Sequence, residues 1–432
     1  MGAGHPRGHE RAKRDPLIDV LRGVCFVFMT VDHLPGSPFA RFSNPNYGPF
    51  GFFTAAQGFV LISGFVSGFV YEESRVRDGF GAMTRRVFAR VRVLYVTQLV
   101  LYATLAVAVV AGLPGVSGWN LDVYVHEPWK GVFLTASLLY EPAYLGILPM
   151  YCMFLLATPF LIWQFARGRL AYVLAASACV WIAAGLLVRL PANPDGVDFG
   201  AFDPLSYQVV FVVGLAFGAK RLSLSQIPPR IRQWMVVGAA GVTTLFFALR
   251  LDYAFDGPVK PMIDRFSMAF SVVQLGPLRL LDFAAFAFLP LMAVPRLIRP
   301  GRTTAASRWL GFIGGHALPV FAWSILTTYA AMALLPSPPN TLIGLAAALV
   351  AVASLTIPAT ARAALLRRRA AGHAVAVASR SVRPPFDEDL GQGPLVVHDA
   401  PPAVARLGVP EGLPRPARVT EPGKPIRSSV VE

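Results

Sequence analysis

The chain has 432 residues, of which 55% are hydrophobic and only 15% charged, with a mean hydropathy of +0.54. A soluble domain carries about a quarter charged residues, so the composition excludes that class and points to an all-α polytopic membrane protein. The net charge of +15 sits in clusters beside apolar runs. No polar platform interleaves basic with aromatic residues, so the charge is a topology signal and no nucleic acid is expected as a partner.

Residues 1–14 form a basic stretch, followed by the first apolar segment, from about Pro16 to Leu34. The pair looks like a secretory leader at first sight. The run, however, carries Asp19 and Arg22 and ends in Asp32-His33-Leu34-Pro35 with no small-residue cleavage site, so a retained first helix is expected. Ionisable groups at bilayer depth are expensive, and they usually face a bundle interior and carry function. Arg22 and His33 are eleven positions apart, which on a helix is about 16 Å of rise and about 20° of rotation. One face therefore holds a fixed cation near one end and a titratable imidazole near the other. That suits an extended anionic ligand whose reactive end lies far from its charged end.

A spanning helix needs about 20 apolar residues, and about ten segments meet that ruler. After the first come Gly51 to Tyr71, Val87 to Gly112, Leu145 to Ala166, Leu170 to Arg189 and Ser206 to Ala219. Met235 to Leu251, Leu278 to Ile298, Trp309 to Leu335 and Leu342 to Leu365 complete the set. With the N-terminus inside, every inner connection is basic. These connections hold Arg75, Arg77, Arg85 and Arg86; Arg167 and Arg169; Lys220, Arg221, Arg230 and Arg232; Arg296, Arg299, Arg302 and Arg308; and finally Arg367, Arg368 and Arg369. The positive-inside rule thus gives an even number of spans with both termini cytoplasmic. Val132–Tyr144 and Pro261–Gln274 read as interfacial or re-entrant. The membrane domain covers 15–369. Residues 370–432, with Pro384-Pro385 and Pro401-Pro402 and no apolar period, are expected to be a disordered cytoplasmic tail. Cys25, Cys152 and Cys179 lie in apolar segments without paired spacing. They indicate neither a disulfide framework nor a metal site, and are expected to be small buried side chains.

Several residues stand out against this background. Gly64 and Gly68 form a small-xxx-small pair, which predicts close helix packing. Gln57 in the same segment is an amide at membrane depth; it wants either an interhelical partner or a substrate hydroxyl. Arg90 and Arg92 enter the third apolar run behind Arg85 and Arg86, deeper than topology requires, and guanidinium groups there suit bidentate phosphate binding. Tyr140, Glu141, Tyr144 and Tyr151 mix aromatic rings with one carboxylate, as a carbohydrate-binding rim does. Gly314-Gly315-His316-Ala317-Leu318-Pro319 predicts a helix break at a histidine, where backbone groups can line a cavity.

In chain order these residues resemble the OpgC family, the succinyltransferases of osmoregulated periplasmic glucans, within the wider group of multi-span membrane acyltransferases. The similarity rests on Asp19-x-Leu-Arg22-Gly23 with Asp32-His33-Leu34-Pro35, on Gly51-Phe52-Phe53-x-Ala55-Ala56, and on Ser63-Gly64-Phe65. It continues with Tyr144-Leu145-x-Ile147-Leu148-Pro149-Met150-Tyr151, Pro277-Leu278-Arg279-Leu280-Leu281 and His316-Ala317-Leu318-Pro319-Val320-Phe321. Arg22 and His33 also match the wider group's Arg-x10-His pattern, and Arg85 to Arg92 look like its second basic motif. Three positions depart from the family pattern: Gln57 stands for Glu, Gly146 for Asp and Gly315 for Arg. Each removes a charge from the expected site.

The resemblance implies a bacterial inner-membrane O-acyltransferase with no permanently bound cofactor. Acyl-CoA, succinyl-CoA in the family, would be the donor substrate, and a hydroxyl of a periplasmic or cell-envelope glycan the acceptor. Arg22, Arg85, Arg86, Arg90 and Arg92 would hold the donor's phosphates. His33 would act as general base or as a covalent acyl carrier, with Asp32 in support. Because neighbouring helical residues point about 100° apart, Asp32 is expected to bind another helix, near His316, or to lie where the helix already unwinds before Pro35, rather than to orient His33 directly. A glycan or lipid transporter is the alternative class, and a catalytically silent homologue the third. No internal repeat of the transporter kind is visible.

Overall fold

Membrane-depth backbone must satisfy its own hydrogen bonds, and the computed structural model is all helical, with no strand among the described residues. These are residues 16–34, 42, 46–112, 123, 126–187, 202–221, 227–297, 304–335 and 341–381. The long elements are α1 (Pro16–Asp32), α2 (Ala55–Asp78), α3 (Phe80–Val110), a short α4 (Pro128–Ala136), α5 (Ile147–Ala166), α6 (Leu170–Leu187) and α7 (Pro204–Lys220). After them come α8 (Pro229–Ala254), a short α9 (Lys260–Arg265) with a 3-10 turn at Ser267–Phe270, and α10 (Pro277–Leu297). The chain continues through α11 (Ala305–Gly315), α12 (Ala317–Leu334), α13 (Thr341–Ser354) and α14 (Thr356–Ser381). Among the described residues six helices are long and apolar enough to cross a membrane: α2, α3, α5, α8, α12 and the stretch Thr341–Ala371. Helices α6 and α7 are shorter and apolar.

The basic residues 1–14, Arg189, the connection carrying Arg299 and Arg302, and the tail beyond Ser381 lie outside the described residues. Helix α14 runs past Ala370 to Ser381. Met1–His373 forms one compact unit and Ala374–Glu432 another, and all packing described below lies in the first.

Glycine decides two helix seams. A Cβ on Gly64 or Gly68 of α2 would sit 2.3 Å from the Phe211 carbonyl oxygen or 2.1 Å from that of Leu215. On α7, Gly214 and Gly218 meet the Leu61 and Phe65 carbonyls in the same way. Both helices therefore present small-xxx-small faces and lie backbone to backbone in parallel, as expected of Gly64 and Gly68. In the second seam, Gly23 of α1 meets the Leu310 carbonyl and Gly314 of α11 meets that of Asp19. The order is reversed, so α11 runs antiparallel to α1. Helix α12 then returns in the sense of α1: Phe321 stacks on Phe59, which touches Phe26, and Tyr329 reaches Tyr144 beside His33. The predicted ninth segment is thus two helices that double back at His316, and α12 alone has the length and hydropathy of a span.

Residues 46–54 are held down by charge. Arg279 donates to the Phe270 carbonyl (2.9 Å) and the Asn46 carbonyl (2.7 Å), and Arg250 donates to that of Gly48 (3.3 Å). The Asp282 carboxylate accepts from the Phe52 N–H at 2.7 Å. Both guanidiniums lie against Tyr47, at 5.4 and 5.5 Å from its ring centre. One burial expectation fails: Cys25 and Cys152 are buried, but Cys179 is exposed. Helix α6 is apolar over its whole surface, and its main partner is α7, so a cysteine facing elsewhere has nothing to cover it.

Candidate functional site

Helix α1 brings its two singled-out groups to two different environments. Near its start, Arg22 is half-buried, and its Nε has no hydrogen-bond partner among the described residues. It lies within electrostatic reach of Asp19, of Arg90 on α3 and of Tyr151 on α5. The Tyr151 hydroxyl is 3.1 Å from Ser67 Oγ of α2. Tyr71, one turn further along α2, senses both Arg90 and Tyr151. Four helices therefore converge on two guanidiniums and three hydroxyls. Like charges this close repel, and an anion with several oxygens relieves that repulsion.

At the other end, His33 follows α1 in a turn. Its ring lies on Tyr144, with centroids 4.5 Å apart and planes at 42°. Tyr144 has φ +68°, a left-handed conformation that costs a non-glycine residue roughly 1–2 kcal/mol. The carbonyls on either side of it are held: Gln98 of α3 donates to that of Leu145 at 3.2 Å, and the Tyr329 hydroxyl donates to that of Ala143. The neighbouring helices thus over-determine a strained residue, and strain of this kind collects at functional sites. Burial pushes the Tyr144 phenol above its usual range, so it stays protonated and able to donate.

Phe26 and Met29 lie on the same face of α1 between Arg22 and His33, and both are buried. Phe26 packs on Phe59 at 5.4 Å, and Phe59 stacks on Phe321 at 6.2 Å. An apolar layer therefore separates the basic patch from the histidine.

The other predicted site residues are placed as follows. Asp32 ends α1, is buried and lines an apolar cavity against α2 and α10. His316 belongs to another place, since its Nδ1 is 2.8 Å from the Phe312 carbonyl at the α11–α12 reversal. Gln57 is fully buried and caps its own helix: its Oε1 accepts from the Thr54 N–H at 2.5 Å, while its Nε2 has no hydrogen-bond partner among the described residues. Of the two partners expected of it, another helix or a substrate hydroxyl, neither takes its Oε1, which bonds locally because Thr54 stands three residues before it at the helix start. Tyr140 and Glu141 are buried rather than set on an open rim, because the chain after α4 folds inward. Arg86 is committed to Asp78 and Ser74. Arg85 and Arg92 are exposed, and of the basic motif Arg90 is the member that reaches Arg22. Sequence reading missed Ser67, Tyr71 and Tyr329. Ser67 and Tyr71 are one turn apart on the Gly64–Gly68 helix, a spacing that places them on one face. A lone Tyr329 near a helix end gives no signal beyond an aromatic belt.

This is an all-helical membrane protein with charged side chains gathered on its first helix. The chain belongs to the OpgC family: the family model described as OpgC protein matches residues 14–367. Comparison with the curated proteins and with solved structures gives no match. The family points to acyltransferase-type chemistry in glucan modification.

Proposed function

We propose that the chain is an inner-membrane O-acyltransferase that moves an acyl group, succinyl by family, from cytoplasmic acyl-CoA to a hydroxyl of a periplasmic or cell-envelope glycan. The observation that carries this reading is the arrangement on α1 within an OpgC chain. One end of the helix joins Arg90 and Tyr151 through Arg22, and the other presents His33 under a strained tyrosine. In this reading ten segments cross the membrane with both termini cytoplasmic. Helix α12 carries the ninth crossing, and α11 folds back from the inner side.

Arg22 and Arg90 bind donor phosphate oxygens at the inner end, with Arg85 and Arg92 adding field at the surface. The thioester travels along α1 to His33, which requires the Phe26–Phe59–Phe321 layer to part. There the acceptor oxygen attacks the thioester carbonyl while His33 takes its proton. The C–S bond breaks, and the CoA sulfur leaves as thiolate. In this reading the Tyr144 hydroxyl donates to the developing oxyanion. The family's Glu, Asp and Arg at Gln57, Gly146 and Gly315 are absent from this chemistry, which leaves His33 as its base.

The test is mass spectrometry of envelope glycans from wild type, a deletion strain and the deletion strain carrying His33→Ala at matched protein level. The expected result is an acyl increment that vanishes on deletion and stays absent with His33→Ala. Full restoration by His33→Ala removes His33 from the chemistry. An unchanged glycan profile on deletion counts against the transferase reading and favours a transporter.

A further inference from the structure

Where α2 and α5 end and α3 begins lies an open cavity of about 700 Å³. Its lining is Arg75 of α2, Gly79 of the turn, Phe80 of α3, and Phe160, Trp163 and Ala166 of α5. Phe80 and Phe160 are exposed. Phe160 and Trp163 lie 6.0 Å apart with planes at 37°. The Arg167 guanidinium sits 3.8 Å over the indole and holds it as a stiff wall. Arg75 is the charged member of the lining, and it donates two 2.8 Å hydrogen bonds to the Glu72 carboxylate.

Three features select the ligand. The cavity lies at the level of charged side chains, since Arg77 pairs with Glu73 and Asp78 at the same end of α2. A hydrocarbon tail gains nothing by leaving the bilayer core for that depth. Arg75 already has its charge answered by Glu72, so the lining offers little to a phosphate and favours an uncharged group. Aromatic walls at aqueous depth suit a flat ring, and a heteroaromatic base stacks on such walls through its π-face. The same three helices carry the basic patch. Tyr71 stands eight residues before Gly79, Arg90 ten after Phe80 and Tyr151 twelve before Trp163, so about 12 to 18 Å of helix separates patch from cavity. An arginine side chain, a ribose and a base together bridge that gap. We propose that the cavity takes the adenine ring of the CoA donor whose diphosphate lies at Arg22 and Arg90. The identity of the nucleotide rests on the transferase reading; the stacking pocket does not. Phe160 and Trp163 then set how tightly the donor binds and take no part in the chemistry.

The test uses purified full-length protein in phosphatidylcholine nanodiscs, titrated calorimetrically with CoA and with 4′-phosphopantetheine, which lacks the adenosine. Phe160→Leu and Trp163→Leu are expected to weaken CoA about tenfold and to leave phosphopantetheine unmoved, while Trp163→Phe keeps most of the affinity. A folding defect weakens both probes, so the ratio of the two affinities reads the pocket alone. On wild type, CoA carrying an 8-azidoadenine is expected to label peptides containing Phe80 and Phe160, and unlabelled CoA to protect them. Equal wild-type affinity for CoA and phosphopantetheine overturns the inference, as does azide labelling elsewhere. Protection by ATP as effective as that by CoA also overturns it, by making the cavity a site for adenine nucleotides at large. Acylated glycan in cells together with an unlabelled cavity overturns the inference and leaves the transferase reading standing. Labelling of the cavity with no acylated glycan supports the ring site and counts against the transferase reading alone.

Discussion

Two groups of charge lie inside this molecule, and they differ in what their hydrogen bonds do. Around residues 46–54, Arg279 is fully buried and Arg250 is 2% exposed, and their donors go to backbone carbonyls while Asp282 takes a backbone N–H. On α1, Arg22 keeps an unpartnered Nε beside another guanidinium, and His33 touches an aromatic ring held in a strained backbone. Among the described residues Arg279 also keeps one buried nitrogen without a hydrogen bond, so a spare donor does not separate the groups. The bonds that are made do: those of the first group end on backbone and fix a loop, whereas the second group faces other side chains.

The largest expected effect lies on the clamp. Arg279→Met strips the Asn46 and Phe270 carbonyls of their donor and leaves Asp282 buried without its neighbouring cation. Losses of about 3–5 kcal/mol are usual for such a break. Thermal unfolding in detergent should fall by many degrees, and adding Asp282→Leu should recover part of it. A melting curve for Arg279→Met that overlays wild type would abolish the distinction between the groups. His33→Ala should do the reverse: transfer falls about 10²- to 10⁴-fold, the usual range for a general base, and the melting curve moves by no more than about 1 kcal/mol. Comparable unfolding in both variants would make His33 one more structural residue.

The sequence makes the membrane class legible because ten apolar runs and their basic flanks are one-dimensional signals. The Gly64–Gly68 seam is legible for the same reason, since its spacing is helical. The reversal at His316 is not. Gly and Pro announce a break, but the direction of α11 follows from Gly23 and Gly314 meeting across nearly 300 residues of chain. Arg22 and His33 share a face as the helical repeat requires, yet the repeat is silent on Phe26 and Met29 closing that face, which depends on Phe59 and Phe321 from two other helices. Gln57 illustrates the same limit. A local capping bond to Thr54 competes with any long-range partner, and only packing decides between them.

Within the functional group, Arg22→Gln and Arg90→Gln should each raise KM for the acyl-CoA donor about tenfold and leave kcat nearly unchanged, because both act on donor binding rather than at the reacting carbonyl. Their double variant should fall short of the product of the two, since groups that share one ligand are not additive. Full multiplicativity would place them on separate sites.

The smallest effect sharpens the inner boundary of that group. Arg92 shares the basic motif with Arg90 but is exposed, two positions on and about 200° around the helix. Salt screens an exposed charge, and its contribution is usually below about 1 kcal/mol. Arg92→Ala should therefore change donor KM by about twofold at low ionic strength and by less as salt rises. Arg90→Gln should keep most of its effect in salt, because a partly buried guanidinium is screened far less. Donor KM measured for both variants across a salt series distinguishes a charge that touches the donor from one that only adds to the field. Equal salt sensitivity in the two would return Arg90 to the surface cluster and leave Arg22 without its partner from α3.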